Sequence, residues 1–516
     1  MLFAARWRRG ILTDGPLPAN RLLKACPLKS RPIIFRLTAV LLGLSVFPAF
    51  EGVCRVAGWG TETVKVDAWQ QFAGTRPLFE RTPDGTSYRI AANRREFFAD
   101  DYFPASKGTN TRRIFVFGGS TVQGRPFSIQ TSFTTFLKFG LSHAVPDTRW
   151  EVVNCGGISY ASYRLLPIMQ ECLAYEPDLF IVCTGHNEFL ECVTYSKVIN
   201  TQPMVNHGRR WLDRLQSFRV IRKFVSDNIE PATSESNNDR TQFPEEVDAL
   251  LDHQGGLERF TRTALHRSEI AQQFAENLQH MVELTSAADV PLIMMSPPVN
   301  LRDCPPFKSE FSADTSAADR DQVASELKTA GDKLAHDVAE SITLLKHATQ
   351  LDPAFAFSWY QLGRACLQAK QIDLAKEALQ RAVDEDVCPL RMTSDLQRAM
   401  RRVVERNGIA FLDVQPMMEA GSRLGIVGDF VLADHIHPAF GSHQQIGLEL
   451  VVQVAAKLNR STTPDWKPLA QKTFDNHMQS LDDLYFLRGR RTLANLRAWT
   501  QGRADGPPLS QDPSAP

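Results

Sequence analysis

Arg113-Ile-Phe-Val-Phe-Gly-Gly-Ser-Thr-Val-Gln-Gly124 is a bulky apolar run that breaks into two glycines and then a serine. Unbroken apolar residues suit a strand buried on both faces, and paired glycines suit a sharp turn out of it. A serine at such a strand-to-helix turn exposes its hydroxyl at the sheet edge, with its backbone N–H aimed outward. Four further runs repeat the theme. Trp150-Glu-Val-Val-Asn154 leads to Gly156-Gly157, and Asp178-Leu-Phe-Ile-Val-Cys-Thr184 leads to Gly185. Val290-Pro-Leu-Ile-Met-Met295 leads to Ser-Pro-Pro, and Ile409-Ala-Phe-Leu-Asp413 is the fifth. Separated by helical stretches, these runs predict an α/β fold with a five-stranded parallel sheet covered on both faces. Functional groups in such sheets gather just past the carboxyl ends of the strands.

The strand ends carry suitable chemistry. The third runs into Thr184-Gly-His-Asn-Glu188, where the amide of Asn187 can donate to a developing oxyanion. After the fifth comes Ala433-Asp-His-Ile-His-Pro-Ala439. There the Asp434 carboxylate can accept from Nδ1–H of His437 and leave Nε2 as a base. Each motif alone reads better as a turn with a capping Asn or Asp. Gly118-Gly-Ser-Thr121 lacks the Gly-Lys-Ser/Thr of a Walker loop, so nucleotide binding is not expected. His435, His437 and His443 near Asp434 invite a metal reading. Asp434 and His437 already have roles and no further ligand cluster appears, so neither metal nor cofactor is expected. His186 and His435 read as wall or solvent-facing residues.

Taken in order, serine after strand one, a glycine turn after strand two, Gly-His-Asn after strand three and Asp-x-x-His-Pro after strand five resemble the SGNH (GDSL-like) hydrolase family. The resemblance covers about residues 112–195, 265–305 and 405–455. It implies a three-layer α/β/α fold and metal-free ester cleavage. By position, Ser120 would be the nucleophile, His437 the general base and Asp434 its orienting group. The oxyanion hole would comprise the backbone N–H of Ser120, the amide of Asn187 and a backbone N–H in the second motif. Ungapped alignment from Asn154 puts Ser159 at the family's glycine donor, with Gly157 as the alternative. Gly119 stands where many members have an acid. Arg302, past the fourth strand, reads as a substrate contact or a structural salt bridge. The implied function is a serine esterase acting on short-chain or carbohydrate O-acetyl esters through a covalent acyl-enzyme. An O-acyltransferase on envelope polysaccharide would use the same residues. A non-catalytic tetratricopeptide (TPR) scaffold with a decayed site is the reading from another class.

The rest of the 516 residues is organised around this sheet. The 58 basic and 58 acidic residues balance, which argues against a generally basic nucleic-acid binder. The balance is not local: residues 1–36 hold many Arg and Lys but a single acid, Asp14. The apolar run 37–50 follows, so residues 1–32 are expected in the cytoplasm and 33–51 as a transmembrane signal anchor. This places the rest of the chain on the extracytoplasmic (periplasmic) side. A cleaved signal-peptide core and a buried helix are the competing readings. Residues 52–110 read as an N-terminal extension, 111–314 with 396–460 as the hydrolase domain and 461–516 as a polar tail. Residues 195 to about 262 read as a loop or lid. Within 315–395, Trp359, Leu362, Gly363, Ala375, Leu379 and Ala382 fall at the offsets of a roughly 34-residue TPR unit, with a degenerate half before it. These TPR-like helices would offer a surface to a protein partner. The nine cysteines show no CxxC spacing, and Cys192 with Cys304 is one conceivable pair in an exported protein.

Overall fold

A computed structural model describes residues 48–57, 76–195, 216–217, 220, 244, 246–264 and 267–500. The chain divides into two compact units: Met1–Lys65 with Met204–Ser236, and Val66–Pro203 with Asn237–Pro516. In the first, residues 48–57 are helical, and the Glu51 carboxylate accepts from the N–H groups of Gln216 and Ser217 and from the Ser217 hydroxyl. The expected membrane segment lies outside the described residues up to Phe47. Among the described residues no helix is long and apolar enough to cross a membrane. Most of the expected lid also lies outside them.

The second unit holds two sheets. β1 (Phe79–Arg81), β2 (Ser87–Ile90) and β3 (Tyr102–Pro104) form an antiparallel sheet from the segment read as an extension. β4 (Thr111–Gly118), β5 (Arg149–Gly156), β6 (Leu179–Cys183), β7 (Leu292–Ser296) and β8 (Ala410–Asp413) form a parallel sheet in the order β5-β4-β6-β7-β8. These are the five runs anticipated from the sequence. The strand order places β4 in the middle of the three motif-bearing strands, flanked by β5 and β6.

Apolar continuity along these strands buries both faces, because successive side chains point to opposite sides. Phe115 and Phe117 of β4, Phe180 and Val182 of β6, and Leu292 and Met294 of β7 enter one core. Ile114 and Val116, Leu179 and Ile181, and Ile293 and Met295 enter the other. Helices close each face. They are α1 (Ser120–Gln123), α2 (Phe133–Ala144), α3 (Ser162–Cys172), α4 (Glu188–Thr194) and α5 (Arg267–Ala287). The inserted α6 (Ala317–Lys333), α7 (Val338–Leu351), α8 (Ala356–Gln368) and α9 (Ile372–Asp384) follow. α10 (Ser394–Asn407), α11 (Val414–Gly421), α12 (Phe440–Lys457), α13 (Trp466–Ser480) and α14 (Asp483–Thr500) complete the chain.

Two flanking segments are more ordered than the sequence suggested. The insertion holds four successive helices, with α6 on α7, α7 on α8 and α8 on α9. α8 and α9 approach closely at Gly363, where a Cβ would lie 2.6 Å from Leu379 Cγ. The expected tail is helical as far as Thr500. Its polarity conceals Trp466, Ala470 and Phe474, four residues apart, which are buried on one side of α13. Phe474 meets Phe136 of α2 edge to face, with 4.9 Å between ring centroids. Cys192 and Cys304 are free, their thiols facing Gln273 and the Pro305 carbonyl.

Candidate active site

The sharp exit from β4 is enforced by packing. A Cβ on Gly118 would lie 2.2 Å from the Cys183 carbonyl oxygen, so only glycine lets β4 leave this close to β6. Gly119 is the extended cap before α1, and Ser120 opens the helix, buried but at the edge of a cleft. Asn154 at the end of β5 braces the turn. Its amide donates to the Val122 carbonyl at 2.7 Å and to Thr134 Oγ1 at 2.9 Å, while its Oδ1 accepts from Gly156 N–H.

The loop between α11 and α12 delivers the histidine. Asp434 Oδ1 accepts from the backbone N–H groups of Ile436 and His437, folding the loop so that the two side chains meet. His437 Nδ1 lies 2.7 Å from Asp434 Oδ2, and His437 Nε2 lies 2.8 Å from Ser120 Oγ. With the carboxylate ionised, Nδ1 carries the proton and Nε2 accepts from the serine hydroxyl. Burial alone would raise the Asp434 carboxyl. Electrostatic interaction with His437 and His435 and the hydrogen bonds from His437 outweigh it and hold the group well below the usual carboxylate range. Asn300, past β7, supports the loop from behind: its amide donates to the Asp434 carbonyl at 3.0 Å and to Asp429 at 2.7 Å.

Asn187 caps α4, and its amide donates to the Tyr160 carbonyl at 3.1 Å, which fixes its orientation and leaves a second N–H. Glu188, its neighbour, accepts from the Ser162 N–H at 2.9 Å and the Ser162 hydroxyl at 2.8 Å. Glu191 accepts from Ala161 N–H and Arg164 Nε. The turn after β6 therefore clasps the loop after β5 from below. Burial pushes the Glu188 carboxyl up to about 7.

The structure thus brings Ser120, Asn187, Asp434 and His437 together at one end of the sheet. Gly119, Ser120, Tyr160, His186, Asn187 and Ile436 are among the residues that line the cleft. The second motif is arranged differently from either alternative. The Gly157 N–H is already spent on the Gly118 carbonyl at 3.0 Å. Ser159 has φ 61°, the left-handed region in which a glycine is at home, is half-buried, and is not among the cleft-lining residues. Tyr160 occupies the cleft wall in its place. Arg302 is likewise elsewhere. Its guanidinium is paired with Asp303 at 2.6 Å, packed beside Gly428.

The metal reading meets a physical obstacle. Asp434, His435 and His437 bring donor atoms within 4.8 Å of one another. Both nitrogens of His437 are already engaged, so a cation there would have to break the Ser120–His437–Asp434 chain. His443 is in another layer, where its Nδ1 accepts from Phe133 N–H. His186 and His435 are buried walls rather than solvent-facing. Sequence reasoning passed over Asn300, Glu188 and Tyr160. Asn300 and Glu188 were legible only as polar residues next to strand ends.

No protein-family model matches the sequence, and no curated protein matches it. Solved structures to which the chain is similar, at low identity, include three hydrolases. The first is LAE5, an alpha/beta hydrolase enzyme from the metagenome of Lake Arreo, Spain (14% identity, 69% of this chain and 97% of that one, TM-score 0.28). A catalytic mutant of Axe2, an acetylxylan esterase from Geobacillus stearothermophilus, is another (12%, 70% and 98%, TM-score 0.29). The third is the lipase/acylhydrolase from Enterococcus faecalis (12%, 69% and 98%, TM-score 0.30).

Proposed function

We propose that this chain is a serine esterase. The observation that carries the reading is the continuous hydrogen-bonded series Ser120 Oγ, His437 Nε2, His437 Nδ1, Asp434 Oδ2, with spacings of 2.8 and 2.7 Å, beside a cleft. Ser120 attacks the acyl carbonyl while His437 takes its proton. Asp434 holds the ring in the productive tautomer and stabilises the imidazolium. The Ser120 N–H and the free N–H of Asn187 receive the oxyanion. His437 then protonates the leaving alcohol, and water attacks the acyl-enzyme with His437 again as base. The small cleft beside Ser120 supports short acyl groups such as acetyl. The basic residues ahead of the apolar run 37–50 support catalysis on the extracytoplasmic side of a membrane, with the chain tethered at its N-terminus.

A fluorophosphonate probe tests the reading directly. It is expected to label wild type and to leave Ser120→Ala unlabelled, with short-chain aryl esters hydrolysed by the former only. A folded wild-type protein that neither reacts with the probe nor cleaves any ester would leave the scaffold reading in its place.

A further inference from the structure

His186 lies between the cleft and the segment that returns from the helical insertion. Its ring is buried, and its Nδ1 accepts from the Met392 backbone N–H at 3.1 Å. A nitrogen that accepts from an N–H carries no proton, so a neutral ring must carry its proton on Nε2. Burial keeps the ring neutral, reinforced by the nearby imidazoles of His435 and His437 and by Arg391 against the opposing charge of Asp434. Nε2 is therefore a donor, and it is buried with no hydrogen-bond partner. A buried donor left without an acceptor costs about 1–3 kcal/mol. The residue that bears it lines the same cleft as Ser120 and Asn187.

The location limits what the acceptor can be. Asn187 is held toward β5 by the Tyr160 carbonyl, whereas the His186 ring is clamped toward Met392. Its electrostatic neighbours include His437 and Asp434. The base that returns its proton to the leaving alcohol stands on that side, so the alcohol half of an ester lies there too. Resting on the esterase reading, we propose that His186 Nε2–H is a specificity-determining donor for an oxygen on the alcohol half of the substrate. The preferred substrates are then esters of polyols or sugars, and esters of alkyl alcohols leave the donor unmet.

The test pairs 2-hydroxyethyl acetate with propyl acetate, which differ by a hydroxyl in place of a methyl. Wild type should favour the former by at least about fivefold in kcat/KM, the worth of one unmet buried donor. Two variants separate the two nitrogens. His186→Asn keeps an acceptor for Met392 N–H but has no donor at the Nε2 position, so the preference should fall to about one. His186→Gln can place an amide N–H near the Nε2 position, so most of the preference should survive. Fluorophosphonate labelling of Ser120 and thermal melting confirm that each variant retains its nucleophile and fold. An equal preference in wild type and His186→Asn overturns the inference, as does the absence of any preference in wild type. Should labelled wild type cleave neither acetate, the inference falls while the esterase reading stands. Should the folded protein be neither labelled nor active on any ester, both fall. Nitrogen-15 spectra of histidine-labelled wild type supply a check that needs no variant: His186 must show Nε2 protonated and Nδ1 bare, and the opposite tautomer sinks the proposal.

Discussion

His437 Nε2 stands 2.8 Å from Ser120 Oγ although 317 residues separate them in the chain. The contact is held by the two loops that carry the partners. Asn154 fixes the turn after β4 through the Val122 carbonyl, and Asn300 fixes the loop between α11 and α12 through the Asp434 carbonyl. Both braces come from the ends of other strands in the same parallel sheet. The sheet therefore pays in advance for ordering the serine and histidine, and little reorganisation remains when an ester arrives.

Asp434 is the first place to test that arrangement. Asp434→Asn puts an amide where an ionised carboxylate accepted from Nδ1–H and from two backbone N–H groups. The wrong tautomer of His437 follows, and kcat should fall by about 10⁴, with a smaller change in KM. Burst kinetics with an aryl acetate would read this as slow acylation. A variant retaining more than about a tenth of wild-type turnover would remove Asp434 from the mechanism.

Asn187→Ala removes one oxyanion donor and also frees the Tyr160 carbonyl. Turnover should drop by about 10²–10³. The lost hydrogen bond should cost about 1 kcal/mol of stability. Single-turnover rates and urea unfolding measured on the same preparation distinguish these effects. A stability loss with unchanged acylation would assign Asn187 to the scaffold alone.

The buried Glu188 predicts a pH dependence of stability. Its carboxyl is pushed up by burial to about 7 from the ordinary 4.5, against hydrogen bonds from Ser162. A folded pKa above the unfolded one gives a contribution that is full below pH 4.5 and is lost as pH rises through about 7. The slope in that window is at most about 1.4 kcal/mol per pH unit. Glu188→Gln has no such titration. The stability of wild type minus that of Glu188→Gln should therefore decline between pH 5 and 7.5, as seen by chemical unfolding. Parallel curves would refute the assignment.

Arg302 is expected to matter for stability and not for substrate. It is committed to Asp303, whose carboxylate also accepts from Asp429 N–H. Arg302→Ala should lower Tm by about one degree, the effect of roughly 1 kcal/mol in a protein of this size. KM for 2-hydroxyethyl acetate should stay within about threefold of wild type. A KM rise beyond tenfold without a change in Tm would restore Arg302 as a substrate contact.

The parallel sheet was legible because its strands are short apolar runs that end in Gly, Ser, Asn or Pro. That pattern is local and survives in one dimension. The motif serine and amide were legible for the same reason, each sitting directly after a strand, and the acid and histidine because they stand three residues apart within one turn. The buried stripe Trp466, Ala470 and Phe474 was not, because charged neighbours dilute it until α13 turns it against α2. Nor could spacing show that the Gly157 N–H is consumed by Gly118, since the β4–β5 register decides that bond.

By itself, the sequence determined which residues could react: a serine and an amide at the ends of strands, and a carboxylate and an imidazole three residues apart, because residue type and local pattern set chemistry and strand periodicity. The tertiary structure alone decided which of them meet and in what state. Contacts between distant segments bring the Ser120 hydroxyl to Nε2 of His437 and the Met392 N–H to Nδ1 of His186. They also leave His186 Nε2 without an acceptor. Those outcomes depend on distances of a few ångströms between parts of the chain far apart in sequence, and only packing of the sheet and its two cores sets such distances.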